Sequence, residues 1–299
     1  MKPLVLRDTV FPNRVMVASG TFGYGLEFND YFPVSRLGGI SVKGLSLSGS
    51  QGNAMPRIAE TYGGMLNAIG LQNIGVQSFV TEKLPQLREI GATVIANFYG
   101  NTVDEYVACA QALSVDGIHA LEMNISCPNV KSGGIAFGSD VEMTRSVVQA
   151  VRESTDKPLI VKLSPNVADI RPFAEASVNS GADSLSLINT LIGMAIDIKT
   201  RKPRIANLTG GLSGPAIKPV GIRMVYQVCQ VTDVPVIGIG GVMNRDDALE
   251  YFLAGASAVQ VGTANFINPA ASLQILEELE SFFVNNAIDF DQYRGGVII

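Results

Sequence analysis

A single (β/α)8 TIM barrel, preceded by a β-hairpin and carrying inserted loops at its C-terminal face, is predicted by three observations. Eight short apolar runs alternate with helix-length amphipathic segments along the 299 residues, the repeat that parallel strands and crossover helices produce. That length suits one such barrel. Every run also ends in a hydrogen-bonding side chain or a glycine turn, where barrels keep their chemistry.

The elements follow in order. Leu4-Val5-Leu6, a turn at Arg7-Asp8 and Val10-Phe11 read as the opening hairpin. The apolar runs lie at 15–18, 39–42, 93–96, 120–123, 159–161, 184–188, 234–239 and 258–261. Helical patterns cover 103–113, 141–153, 170–180, 222–231 and 245–254. The connections 43–90 and 189–220 exceed a plain crossover, and loops of that length on a compact barrel usually serve binding. With no linker composition visible, residues 1–299 are expected to form one domain.

Composition excludes several functions. With 47 % hydrophobic residues and 16 % charged and a mean hydropathy of +0.26, a core is easily built and apolar surface is left for a partner chain. A net charge of −5 without a basic stripe argues against nucleic acid. The start, Met1-Lys2-Pro3-Leu4-Val5-Leu6-Arg7-Asp8, lacks a signal-like apolar core, and no apolar run reaches bilayer length. Three cysteines suggest a reducing compartment, so a cytoplasmic location is expected. One histidine and scattered cysteines offer no metal or iron–sulfur ligand set. His119, ahead of its strand, belongs at the amino end and reads as a surface or structural residue rather than a general base.

The strand ends carry the argument. They read Ser19-Gly20, Lys43-Gly44, Asn97, Asn124, Lys162, Asn189-Thr190, Gly240-Gly241 and Gly262-Thr263. The stretch 124–134 puts an amide, a thiol, a proline and the Gly133-Gly134 pair just past one strand. Cys127 is there either a small turn residue or a reactive group. Lys162, by period-2 alternation, faces the barrel axis. It is then either neutralised by a core carboxylate such as Glu122 or kept for an anionic ligand. Lys43 shares its phase. The glycines on the last two strands are either tight turns or the phosphate cradle common on barrels, helped by the helix after Gly241. Cys109 and Cys229 fall inside helical patterns and read as packing. A phosphate corner, two lysines, several amides and a thiol suit a phosphorylated flavin beside a small, flat, amide-bearing substrate.

The chain resembles the dihydroorotate dehydrogenases of pyrimidine synthesis along its whole length. The resemblance rests on Ala18-Ser19-Gly20-Thr21, Val42-Lys43-Gly44, Asn67-Ala68-Ile69-Gly70-Leu71, Asn124-Ile125-Ser126-Cys127-Pro128-Asn129 and Val161-Lys162-Leu163-Ser164-Pro165. Gly210-Gly211-Leu212-Ser213-Gly214, Gly238-Ile239-Gly240-Gly241 and Val261-Gly262-Thr263 complete it. Cys127 in place of serine, and the stretch 131–138, resemble the NAD-linked class 1B catalytic subunit. That class implies FMN on this chain, and a partner subunit with FAD and a 2Fe–2S cluster that passes electrons to NAD, the two kinds of chain forming a heterotetramer around a homodimer core.

The resemblance further implies that FMN contacts Ser19, Lys43, Gly44, Asn97, Asn124, Lys162, Ile188, Gly214, Gly240, Gly241, Gly262 and Thr263. It implies that dihydroorotate is held by Lys43, Asn67, Ala68, Ile69, Gly70, Leu71, Asn124, Asn189 and Thr190. Cys127 would be the base that takes the C5 proton, and Lys162 would stabilise the reduced flavin. Rivals remain open at this point: a fumarate-linked enzyme, a relative acting on carboxylate-free dihydropyrimidines, a flavin-free phosphate-binding barrel, and a non-catalytic flavin-binding docking subunit.

Overall fold

The computed structural model describes residues 1–126 and 137–298. The chain opens with the expected hairpin, β1 (Leu4–Leu6) against β2 (Thr9–Phe11). The next strands are β3 (Val15–Val17), β4 (Gly39–Ser41), β5 (Ile58–Thr61), β6 (Gly64–Asn67), β7 (Val94–Phe98) and β8 (Ala120–Asn124). They continue as β9 (Leu159–Lys162), β10 (Ser184–Leu187), β11 (Leu191–Gly193), β12 (Ile196–Asp197), β13 (Lys202–Pro203), β14 (Gly210–Ser213), β15 (Val236–Ile239) and β16 (Ala258–Val261). Among the described residues, β3, β4, β7, β8, β9, β10, β15 and β16 close into a parallel barrel, at the positions the eight apolar runs predict.

Helices cover the outside. They are α1 (Val76–Ser78), α2 (Leu84–Glu89), α3 (Val103–Leu113), α4 (Val141–Glu153), α5 (Arg171–Asn179), α6 (Lys218–Cys229), α7 (Arg245–Leu253), α8 (Ala264–Ile267), α9 (Ala271–Asn285) and α10 (Phe290–Tyr293). Caps explain where several begin. The side chains of Thr102 and Asp140 accept the N3 amides of α3 and α4, and Asn244 with Asp247 forms a capping box on α7. The helix expected over 222–231 instead starts at Lys218, because Pro219 sits in the first turn, where its missing N–H costs nothing. Among the described residues, no helix is long and apolar enough to cross a membrane.

The barrel interior is layered. At its amino end Met16, Ile95, Ala120, Ile160, Ile237 and Ala258 pack together, and Leu4, Leu6 and Phe11 of the hairpin plug them from below. Leu159, Val161 and Leu163 belong instead to the outer core beneath the helices, so Lys162 points inward as the alternation predicts. His119 lies half-buried ahead of β8, its Nδ1 accepting the Val94 amide; burial and then Lys157 hold its pKa below the ordinary value.

The two long connections depart from the expected loops. Residues 58–67 fold into the antiparallel pair β5–β6, and β14 and β11 from the second connection extend it to the order β11-β14-β6-β5. Backbone pairing between segments far apart in sequence makes this sheet, so the local pattern of either segment does not reveal it.

Candidate active site

The floor of the site is the second layer of the barrel. Glu122 on β8 is fully buried, a position a carboxylate tolerates only when it is well partnered. Its Oε2 accepts from Ser41 Oγ and Asn97 Nδ2, both at 2.6 Å, and its Oε1 from Gln260 Nε2 at 2.8 Å and Ser186 Oγ at 2.9 Å. Lys162 Nζ lies 4.0 Å from Oε2. Burial alone would push the carboxyl up. The Lys162 charge, and then hydrogen bonds from Ser41, Asn97 and Gln260, outweigh it and hold Glu122 below the usual carboxylate range. Lys162 thus pairs with the core carboxylate Glu122, and it also lines the cavity above.

That cavity has a volume of about 430 Å³ at the carboxyl ends of the strands, within the range of small-molecule sites. Ser19, Lys43, Gly44, Asn97, Asn124, Lys162, Asn189 and Thr190 line it from the barrel side. Asn67, Ala68, Ile69, Gly70 and Leu71 line it from β6 and the turn that follows. Lys43 is half-buried and Arg57 and Lys162 are near enough to repel its charge. Burial first, then those two cations, lower its pKa from the ordinary lysine value, which makes an anion at the mouth favourable.

The amides are held by one another. Asn124 Oδ1 accepts from Asn189 Nδ2 at 3.3 Å and from the Ser126 amide at 3.1 Å, and Asn189 Oδ1 accepts from the Thr190 amide at 2.8 Å. Asn67 Nδ2 donates to Gly211 O at 3.4 Å, which ties it to β14. Asn97 Oδ1 is buried and has no hydrogen-bond partner among the described residues.

Ile188, Gly214, Gly240, Gly241, Gly262 and Thr263 are not among the residues lining this cavity. They form the adjoining corner. Thr263 Oγ1 shares a 2.8 Å hydrogen bond with the lining residue Ser213, and a Cβ on Gly241 would come within 2.9 Å of Gly214 O and 2.7 Å of Lys218 Cβ. Ile188 is buried beneath Gly240. Just ahead of α7, Asp247 Oδ2 accepts the amides of Met243 and Asn244.

Cys127 lies outside the described residues. Cys109 and Cys229 pack in α3 and at the end of α6; burial pushes their thiols up to about 12 and about 11, which keeps them inert. Among the described residues no group of three or more His, Cys, Asp or Glu side chains gathers as a metal site would.

Several residues were not anticipated. Asn166, Asn207 and Thr209 line the mouth, and Asn166 bridges Thr190 O and the Ile192 amide. They sit in polar loops outside the carboxyl ends of the barrel strands, so the strand-end pattern does not mark them. Asn73 is buried and binds the Ser46 and Gly75 amides, Ser46 Oγ, Tyr99 Oη and Leu71 O. It thereby fixes the turn through Leu71, whose φ is 57°.

A family model described as dihydroorotate dehydrogenase matches residues 5–283. A protein of Geotalea uraniireducens (strain Rf4), named "Dihydroorotate dehydrogenase B (NAD(+)), catalytic subunit", is 58 % identical over 288 residues, covering 96 % of this chain and 94 % of its own. Proteins of the same name from Geotalea daltonii and Geobacter sulfurreducens are 59 % and 58 % identical, each over 277 residues, 92 % of this chain and 91 % of theirs. Matched from the first hairpin into α9, with the strand-end side chains gathered around one cavity, the chain belongs to the dihydroorotate dehydrogenase family.

Proposed function

We propose that this chain is the catalytic subunit of an NAD-linked dihydroorotate dehydrogenase, oxidising (S)-dihydroorotate to orotate in pyrimidine synthesis. The observation that carries this reading is the single cavity in which Lys43 and the amides of Asn67, Asn124 and Asn189 stand over the buried Lys162–Glu122 floor. A ring of alternating C=O and N–H groups needs side chains that both donate and accept, which amides do. Its carboxylate needs a cation, and Lys43 supplies one.

The residues fit FMN. Asn97 Oδ1 is a buried acceptor without a protein partner among the described residues, and an isoalloxazine ring carries N–H donors. Lys162 answers the negative charge of a reduced ring. Ser19, Gly44, Asn97, Asn124 and Lys162 hold the ring side, while Ile188, Gly214, Gly240, Gly241, Gly262 and Thr263 form the phosphate corner. Asp247 already takes the Met243 and Asn244 amides just ahead of α7, so the anion would rest on the glycine turns and the first turn of the helix itself. When bound, FMN supplies the acceptor for the hydride that leaves C6.

The remaining steps belong to the chain. Cys127, as thiolate, takes the proton from C5, so both C–H bonds are lost and the C5=C6 double bond forms. Lys43 binds the substrate carboxylate, and Ala68, Ile69, Gly70 and Leu71 close one side of the ring with Asn67. Thr190, beside Asn189, completes the opposite side.

Electrons leave through a partner subunit with FAD and a 2Fe–2S cluster and reach NAD; the assembly is a heterotetramer around a homodimer of this chain, folded as one domain. Ile192, Ile196, Ile198 and Leu208, exposed on the second insertion, supply apolar surface for such an assembly. Few cysteines and the absence of a disulfide framework in the sequence support a cytoplasmic setting.

The test is anaerobic addition of dihydroorotate to purified, FMN-loaded protein under visible absorbance. Bleaching is expected. A yellow protein that stays oxidised overturns the substrate, and a chain that takes up no FMN overturns the flavin.

A further inference from the structure

Four neutral side chains and one lysine converge on Glu122, and each of the four spends a donor there. An ionised carboxylate can only accept hydrogen bonds. Whatever amide faces it must therefore present N–H₂ and turn its oxygen the other way. For Asn97 the consequence reaches the cavity. Its Nδ2 is bound to Glu122 Oε2 at 2.6 Å, so Oδ1 lies on the Gly44 side, 2.8 Å from where a side chain on Gly44 would begin. Both residues line the cavity. Lys162 is anchored on the same carboxylate oxygen.

We infer that Glu122 is a positioning residue: by accepting only, it fixes the Asn97 amide with its oxygen toward the ligand side, in the same floor as Lys162, which stands on the same carboxylate oxygen. An acceptor and a cation in one floor match the imide edge of an isoalloxazine ring, where an N–H donor adjoins groups that accept. Glu122 itself touches no ligand, being sealed below Asn97 and Lys162. It acts through them. The inference rests on the flavin reading above and deepens it, because it assigns the polarity of the floor to a residue one layer below the cavity. Gln260 is turned by the same rule, its Nε2 on Glu122 Oε1 and its Oε1 without a partner among the described residues.

The test compares wild-type protein, Glu122→Gln and the double variant Glu122→Gln/Asn97→Asp by fluorescence titration with FMN. Glutamine keeps the shape but has one accepting oxygen where Glu122 has two, and its own N–H₂ faces donors. The Asn97 amide then loses its fixed orientation. We expect Glu122→Gln to unfold cooperatively but to bind FMN roughly tenfold or more weakly, as for a lost hydrogen bond to a charged group. In the double variant an acceptor-only group returns to position 97, the charge beside Lys162 is restored, and most of the affinity is recovered. A residue needed only for packing predicts the reverse, a double variant worse than the single one.

Wild-type affinity in Glu122→Gln, or no recovery in the double variant, overturns the inference. Should these variants fail to fold, a neutron structure of the wild-type protein decides it. A deuteron on Glu122, or Asn97 with its oxygen toward Glu122, overturns the assignment; a bare carboxylate facing Nδ2 upholds it. Wild-type protein that takes up no FMN overturns the flavin reading instead, and the neutron map then still decides the amide orientation by itself.

Discussion

Lys162 Nζ stands 4.0 Å from Glu122 Oε2, both side chains buried, in the layer between an apolar plug and a polar mouth. Neither group is tolerable there alone. Replacing Lys162 with methionine leaves the carboxylate without its cation, and breaking such a pair from one side costs about 3–5 kcal/mol. Urea unfolding of Lys162→Met at neutral pH should show an unfolding free energy lower by that amount, with flavin reduction by dihydroorotate slowed in the fraction that remains folded.

The same pair sets an acid limit. Glu122 is held below its ordinary range in the folded chain, so its contribution is present above the unfolded-state pKa and is lost as pH falls through the lower, folded one. Stability of the wild-type protein should fall steeply below the usual carboxylate range. In Glu122→Gln that part of the slope should be missing, which denaturation midpoints across acid pH will measure.

Lys43 gives an alkaline limit to ligand binding. Burial and two neighbouring cations lower its pKa, and a bound carboxylate favours its charged form. Binding above the free-protein pKa must therefore take up a proton. Orotate affinity should fall by about tenfold per pH unit once that pKa is passed, and the fall should begin below the ordinary lysine range. Calorimetric titration with orotate across alkaline pH checks this; an affinity constant up to the ordinary lysine value would contradict it.

Cys127 is expected to act as a thiolate, and a free thiol titrates near about 8.5. The rate of flavin reduction should rise toward alkaline pH. Cys127→Ser should slow it at all pH values, since a hydroxyl is a far weaker base. Stopped-flow bleaching measures both, and a flat profile through the neutral range would count against this residue.

Asn73 holds the turn through Leu71, its Oδ1 accepting the Ser46 and Gly75 amides and its Nδ2 donating to Ser46 Oγ, Leu71 O and Tyr99 Oη. Asn73→Ala should raise KM for dihydroorotate more than it lowers kcat, because it loosens the substrate wall and leaves the floor intact. A stability loss of about 1–3 kcal/mol should accompany it. Steady-state kinetics with unchanged flavin content would separate this from a general collapse of the site.

The barrel could be read because its signals are local. Alternation over 159–163 places Lys162 inward, and β8 ends at Asn124 as the polar break predicts. Much of the predicted site follows from the same logic, since strand ends converge once a barrel closes. What was not readable depends on partners distant in sequence. The pairing of Asn67 with Gly211 joins residues 144 apart, and glycine-rich strands such as β14 have no alternation to announce them. Glu122 could be named as a partner for Lys162, but its four further donors come from β4, β7, β10 and β16. No one segment holds that information.

The sheet β11-β14-β6-β5 makes two separate insertions into one folded unit. β6 is sandwiched between a neighbour from its own connection and one from the other, and a Cβ on Gly211 would collide with Thr190 while one on Gly214 would collide with Gly64. Grafting either insertion alone into a related barrel would leave half of its backbone groups facing a stranger. Drift in one insertion is therefore constrained by the other, and any redesign of substrate range has to exchange the two together.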